Sequence, residues 1–302
     1  MAYNPFQKPA TTILNQDCRL AAPSPAAPWL LYAWPWAPYP RRVIIYLREK
    51  GITEDLVKVV LVEGDNVVTP NCPPRPAGSL PVLAIPARSE GFRTKPASYV
   101  HIRQSIAIIN FLEELCNNHQ MGFLPGKSSL RGTDTARNSD PARDALDRAR
   151  ISEVLSLADE LMTAWNPVRT FGGGAGTILL PEAAKEMLRW VHRSMAAVET
   201  YFQDRDLTQL RDGVHGHVSI ADIVLYQFFE FVHDCYGVDL TIGSGELVKD
   251  VYGREVKDDY PKLVEFYQVF KTRYSAKRVA EKGEVPPEWA LAKMQDWADG
   301  VW

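Results

Sequence analysis

The feature that most constrains this chain is a change of hydrophobic period near its middle. Before about residue 120, short β-like runs alternate with helical stretches; beyond a polar segment from Lys127 to about Arg143, every apolar pattern has helical spacing. A small mixed α/β layer followed by an all-helical unit satisfies both patterns. Trp29-Leu30-Leu31-Tyr32-Ala33 is an apolar run closed by Pro35, Pro38 and Pro40, after which Val43, Ile44, Tyr46 and Leu47 fall at helical spacing up to Gly51. Further β-like pieces lie at Leu56 to Val62, Leu80 to Ile85 and Tyr99-Val100, and Ser105 opens a helix carrying Ile106, Ile109 and Leu112.

The second half carries its own stripes. Val154, Leu161, Met162 and Trp165 mark one helix, Leu188, Val191, Met195 and Phe202 another, and Leu263, Phe266 and Phe270 a third. Between the last two, Ile220 to Val232 is apolar over much of its circumference, so that helix is expected at the centre. A length of 302 residues suits two domains, and 34 basic against 37 acidic residues give a net charge of −3, which argues against a nucleic-acid clamp or a polybasic membrane surface. Cys18, Cys72, Cys116 and Cys235 show neither C-x-x-C pairing nor metal-ligand spacing, which suits a reducing, cytoplasmic setting and gives no metal site. The expected divisions are an extended proline-containing arm over 1–27, a mixed domain over 28–120, a linker over 121–142, a helical domain over 143–283, and a Trp-rich tail over 284–302 with Trp289, Trp297 and Trp302.

Several local motifs have structural readings. Ser219-Ile220-Ala221-Asp222 fits a capping box, whose loss typically costs about 1 kcal/mol. Leu80-Pro81 heads a strand where proline cannot donate a ladder bond, so it is either a sheet edge or a cis turn that would aim the Leu80 backbone at a peptide-like ligand. Ser105 reads as a helix cap at a position that also suits a carboxylate. Gly172-Gly173-Gly174-Ala175-Gly176 lacks the Lys-Ser/Thr of a phosphate loop and reads as a flexible interhelical connection. His215 and His217 have no evident third ligand. The tail reads either as surface docking or as cover for an apolar cleft.

In order along the chain, these pieces resemble a cytosolic glutathione transferase: an α/β thioredoxin-like N-terminal domain followed by an all-α helical bundle domain. The resemblance runs from about Trp29 to Lys282. It is carried by Leu31 to Tyr39 followed by Arg42, by Arg75-Pro76-Ala77-Gly78-Ser79-Leu80-Pro81-Val82-Leu83, by Gln104-Ser105-Ile106, by the Ser219 to Asp222 box, and by Tyr260-Pro261-Lys262-Leu263. It implies glutathione as co-substrate, with Leu80 pairing its backbone to the cysteinyl part beside a cis-Pro81, and Gln104 and Ser105 holding the γ-glutamyl end. It also implies a homodimer, with the helix from Arg143 to Trp165 contributing to the contact.

The departure is at the thiol. Ala37 stands where omega-like members have Cys and theta-like members Ser, and Ala33 lies near where Tyr-type classes place their phenol. A free thiol of pKa about 8.5 is a few per cent ionised at neutral pH, so the thiolate has to be stabilised by other donors. The Ala37 backbone amide, the Tyr39 hydroxyl, an indole N–H and the helix start after Pro38 are the candidates. Lack of Cys at 37 also argues against thiol-disulfide exchange. The expected activity is addition of glutathione thiolate to an apolar electrophile, conjugated or polyketide-like, against a wall of Trp34, Trp36, Tyr39, Met162 and Trp165. The alternatives are glutathione-dependent cis/trans isomerisation of a conjugated alkene and a non-catalytic ligand-binding homologue.

Overall fold

The computed structural model describes residues 18–89, 98–123, 141–211 and 218–302. The first half contains β1 (Cys18–Leu20), β2 (Trp29–Ala33), α1 (Pro38–Lys50), β3 (Val57–Glu63), β4 (Asn66–Val67), β5 (Val82–Ser89), β6 (Ser98–Arg103) and α2 (Ser105–Asn117). The second half contains α3 (Pro141–Gly172), α4 (Pro181–Phe202), α5 (Ile220–Tyr236), β7 (Leu247–Lys249), β8 (Glu255–Lys257), α6 (Pro261–Lys271) and α7 (Glu288–Met294).

The β2 strand runs parallel to β3 and antiparallel to β5, and β5 runs antiparallel to β6 and, farther along, to β1. All five β2 residues are buried, as a central strand covered on both faces requires. Trp29 and Leu31 enter the main core, whereas Leu30 and Tyr32 join a smaller cluster with Val60, Val62, Val82 and Ala84. The β1 strand revises the expected arm. Residues Cys18 to Leu20 pair with Ser89 to Ala87, and Trp29 Nε1 donates to the Ala21 carbonyl at 2.9 Å, so the last part of that segment belongs to the sheet. Residues 1–17, most of the expected linker (124–140), and His215 with His217 lie outside the described residues.

The α5 helix is central, as its sequence predicts: every residue from Ile220 to Val232 is buried. Its capping box forms, with the Asp222 amide donating to Ser219 Oγ at 3.2 Å and the Ser219 amide to Asp222 Oδ2 at 2.7 Å. Arg205 adds two donations to the same carboxylate, at 2.5 and 2.8 Å. The α3 helix continues past the expected Trp165, through Pro167, to Gly172.

The glycine run is not the flexible connection expected. A Cβ at Gly174 would stand 2.7 Å from the Lys293 carbonyl oxygen, and one at Gly172 would stand 2.9 Å from the Ala184 Cβ. The Gly174 amide donates to the Asp296 carbonyl at 2.7 Å, and Gly173 bridges to Trp297. Gly172 is pressed between α4 and the tail, and the tail docks directly on the backbone of Gly173 and Gly174, which leaves no room for a side chain. The segment around Gly243 to Lys257, unexplained by sequence pattern, forms the β7–β8 hairpin, anchored where Asp258 Oδ2 accepts from the Ser244 amide at 2.8 Å and from its hydroxyl at 2.7 Å.

The α1 helix is sandwiched between the sheet side and α5, so its charged residues are buried too. Arg41 donates from Nε and Nη2 to both Glu230 oxygens at 3.1 and 3.0 Å, from Nη1 to Glu284 at 2.9 Å, and from Nη2 to the Ala276 carbonyl at 2.6 Å. Arg42 donates to Gln227 at 3.1 Å and to Asp159 at 2.5 Å. Glu49 accepts from Arg273 Nε and Nη2 at 2.7 and 2.9 Å.

Removing one partner of such a buried pair leaves a desolvated charge, typically at a cost of about 3–5 kcal/mol. Glu230→Gln is therefore expected to lower the unfolding free energy by about 3 kcal/mol in denaturant titration; a loss below about 1 kcal/mol would contradict the assigned role.

A second expectation concerns pH. Burial holds the His192 imidazole below its ordinary value of 6.5, against the pull of Asp258, and lowers His101 as well, with Arg103 adding to the effect. On acidification the unfolded chain takes up these protons first. The stability linked to the neutral rings is full above about pH 6.5 and is lost as pH falls from there through the folded values. Denaturation midpoints should decline as the pH falls below about 6.5, and His192→Gln should make that decline shallower.

Candidate functional site

The sheet register gathers three chain segments at one edge. Val82 stands opposite Tyr32 on one side and Arg103 on the other. The residues just after β2 (Trp34 onward), just before β5 (Leu80 and Pro81) and just after β6 (Gln104 and Ser105) therefore emerge together. The Leu80-Pro81 peptide is cis, which decides between the two sequence readings of this position. Among the described residues, no backbone partner is found for the Leu80 amide or carbonyl.

Gln104 is a non-glycine residue at φ 70°, ψ 124°, a conformation that costs roughly 1–3 kcal/mol. It occupies the N-cap of α2 and its side chain makes no capping bond, so Ser105, read from sequence as a cap, is instead the first helical residue. Ser105 is 3% exposed. The first helical bond runs from the Ile108 amide to the Gln104 carbonyl at 3.0 Å, leaving the amides of Ser105, Ile106 and Ala107 without helical partners. With no acidic residue in its first turn, this helix start presents donors and the positive dipole end.

The facing element is the N-terminus of α1. Trp34 to Ala37 form a turn in which the Ala37 amide donates to the Trp34 carbonyl at 2.9 Å, so the donor favoured from sequence is engaged within its own loop. Pro38 and Pro40 have no N–H, and the Arg41 amide is bonded to the Ala37 carbonyl at 3.0 Å. The Tyr39 amide is thus the first-turn donor left for a ligand.

Between the two halves lies a cleft of about 660 Å³, with Trp34, Trp36, Ala37, Tyr39 and Leu80 on one side and Tyr236 and Trp289 on the other. The Trp34 and Trp36 rings stack at 6.1 Å with an 8° interplanar angle, and the Arg42 guanidinium sits 4.9 Å from the Tyr39 ring centre. Two residues expected on this wall are not on it: Met162 and Trp165 are 1% and 0% exposed and belong to the core behind it. Trp165 packs edge-on against Tyr236 at 5.4 Å and supports the wall from within. Their helical stripe gave no sign of which side chains would face the cleft.

Sequence reasoning missed the basic side chains. Arg75 donates to the Gly78 carbonyl at 3.0 Å, and the Arg103 guanidinium lies so close to Gly78 (φ 105°) that a Cβ there would meet Nη1 at 2.8 Å. Arg169 and Lys293 line the opposite side. The Arg75 to Gly78 stretch was the available signal, since an arginine three residues before a positive-φ glycine can clasp that turn. No cysteine side chain lines the cleft among the described residues. Burial raises the Cys116 thiol and pushes Cys235 up to about 12, and it pushes the Tyr32 phenol, bonded to the Pro73 carbonyl at 3.0 Å, up to about 12. These groups are held neutral and are directed elsewhere.

No family model matches the chain, and no curated protein matches it in sequence. In structure it is similar to a glutathione S-transferase from Methylobacillus flagellatus with glutathione bound, at 19% identity and a TM-score of 0.53, covering 86% of this chain and 100% of that one. It is also similar to a rice glutathione transferase in complex with glutathione (15% identity, TM-score 0.52, covering 82% and 88%) and to Ure2p in complex with glutathione (17%, 0.50, covering 82% and 96%). The fold is that of the cytosolic glutathione transferases, a thioredoxin-like domain followed by a helical domain. No helix among the described residues is long and apolar enough to cross a membrane.

The Gln104 backbone can be tested directly. Gln104→Gly removes the Cβ that disfavours positive φ and is expected to raise the unfolding free energy by about 1 kcal/mol, whereas Gln104→Ala should give no gain. Equal stability of the two variants would show that no strain is held there.

Proposed function

We propose that this protein binds glutathione along the edge formed by Leu80, Pro81, Gln104 and Ser105 and presents its thiolate to an electrophile in the adjoining aromatic cleft. The observation that carries this reading is the convergence at one sheet edge of an unpaired Leu80 backbone and a strained Gln104 opening a helix whose first amides are free. A peptide ligand would pair with Leu80, and the α-carboxylate of its γ-glutamyl end would accept from the Ser105 hydroxyl and the free amides of α2. The solved complexes of similar fold contain glutathione, which supports the same ligand here.

The thiol would lie beside Trp34 to Tyr39. With alanine at 33 and 37, its ionisation relies on the Tyr39 amide and hydroxyl and on the α1 dipole, so the proton leaves to water rather than to an enzyme base. The sulfur then donates its electron pair to an electrophilic carbon, forming the C–S bond. In addition to a conjugated alkene, the displaced π pair is protonated by water. Thiol-disulfide exchange is disfavoured, since no cysteine among the described residues lines the cleft.

The same lack of an acid–base side chain at positions 33 and 37 favours one further reading. Reversible thiol addition isomerises a conjugated alkene once the new single bond rotates and the thiol leaves, and it needs chiefly a positioned thiolate. Consumption of glutathione in conjugation, and its conservation in isomerisation, separate the two.

Isothermal titration with glutathione is the primary test. The parent should bind it, and Ser105→Ala should weaken binding by about tenfold or more, the usual effect of losing a hydrogen bond to a charged group. Failure of the parent to bind, or equal binding by the variant, would overturn the proposal.

A further inference from the structure

The cleft carries more positive charge than an uncharged electrophile would require. Arg75, Arg169 and Lys293 line it against a single carboxylate, Asp65. Asp65 is engaged, because Arg75 Nη2 donates to its Oδ1 at 2.5 Å. Arg169 is held by neutral groups only: Nε donates to Asn166 Oδ1 at 2.9 Å and Nη1 to the Tyr236 hydroxyl at 3.3 Å. Among the described residues, neither Arg169 nor Lys293 forms an ion pair.

The two cations come from distant parts of the chain, and the glycine run brings them together. Arg169 is in the last turn of α3 and Lys293 near the end of α7. A Cβ at Gly173 would lie 3.6 Å from the Arg169 carbonyl, and one at Gly174 would lie 2.7 Å from the Lys293 carbonyl, so only two glycine residues separate the two backbones. The same α7 contributes Trp289, 69% exposed, across from the parallel Trp34 and Trp36 rings. Aromatic rings and two cations whose backbones adjoin thus line the same cleft.

We infer that the cleft takes a planar conjugated ring system bearing a carboxylate or comparable anionic group, with Arg169 and Lys293 determining that specificity. Aromatic walls bury the ring, and the two cations, without internal counter-charges, supply charge-assisted hydrogen bonds to the anion. As the site of a reacting second substrate, this rests on the glutathione reading; as a binding preference, it does not.

The test compares 9-anthracenecarboxylate with the neutral 9-anthracenemethanol by fluorescence titration of the full-length protein, with and without saturating S-methylglutathione. The carboxylate is expected to bind at least about tenfold more tightly, and added salt should narrow the gap. Lys293→Gln should raise the Kd of the carboxylate about threefold to tenfold while leaving the alcohol within about twofold, Lys293→Arg should restore it, and Arg169→Gln/Lys293→Gln should abolish the preference. Equal binding of the two probes by the parent, or equal weakening of both by the variants, would overturn the inference. If S-methylglutathione fails to bind while the carboxylate preference persists, the glutathione reading falls and this one stands. If S-methylglutathione binds and the two probes bind equally, the glutathione reading stands and this one falls.

Discussion

The buried pair between Arg41 and Glu230 is the constraint from which the rest of the architecture follows. Arg41 belongs to the helix that opens the sheet domain and Glu230 to the central helix of the bundle, and both are almost wholly buried, at 0% and 2% exposure. Charges so far from water are tolerated only when geometry and hydrogen bonding are complete. Here the arginine donates from Nε and Nη2 to Glu230, from Nη1 to Glu284, and from Nη2 also to a backbone carbonyl. An apolar contact could slide by a residue at little cost, but this pairing has one register. It fixes α1 against α5, and so fixes the loop before α1 against the helical wall across the cleft.

In the proposed glutathione reading that rigidity matters, because the loop offers a thiol few partners. Pro38 and Pro40 remove two of the amides that a helix N-terminus usually presents, and the turn from Trp34 takes the Ala37 amide. A single amide from Tyr39, a hydroxyl and a helix dipole together supply less stabilisation than a dedicated side chain at short range. Their combined effect depends on holding the ligand sulfur within hydrogen-bond distance, which a mobile loop could not do. The Arg42 guanidinium over the Tyr39 ring adds a second restraint from the same ionic layer.

Much of this was legible in the sequence, and the exceptions have physical causes. The order of strands and helices, the Ser219–Asp222 box and the central position of α5 follow from period and capping, which are local properties. The edge at Leu80 to Pro81 and Gln104 to Ser105 was legible as motif, although the positive φ of Gln104 was not, because glutamine gives no sign of it. The burial of Arg41, Arg42, Glu49 and Glu230 left no local sign in the sequence, since their partners lie up to 243 residues away. Met162 and Trp165 were misplaced for a related reason: a helical stripe identifies a buried side but does not distinguish a core from the wall of a cleft. The glycine run suffered most. Small residues permit both flexibility and close approach, and only the tail packed on them distinguishes the two.

The tail, in turn, completes the cleft. Without α7, the helical side of the cleft would be left with Asn166, Arg169, Ala175, Phe231 and Tyr236. The closing segment is held by backbone bonds to the glycine run and by Trp297, whose indole donates to the Tyr236 carbonyl at 3.3 Å and whose ring stands 5.8 Å from Trp165. Trp165, lost to the cleft as a contact residue, therefore sets its shape indirectly, by seating both Tyr236 and the tail. In the proposed reading, specificity is thus assembled late in the chain, on a scaffold whose position is fixed by the ion pairs of α1.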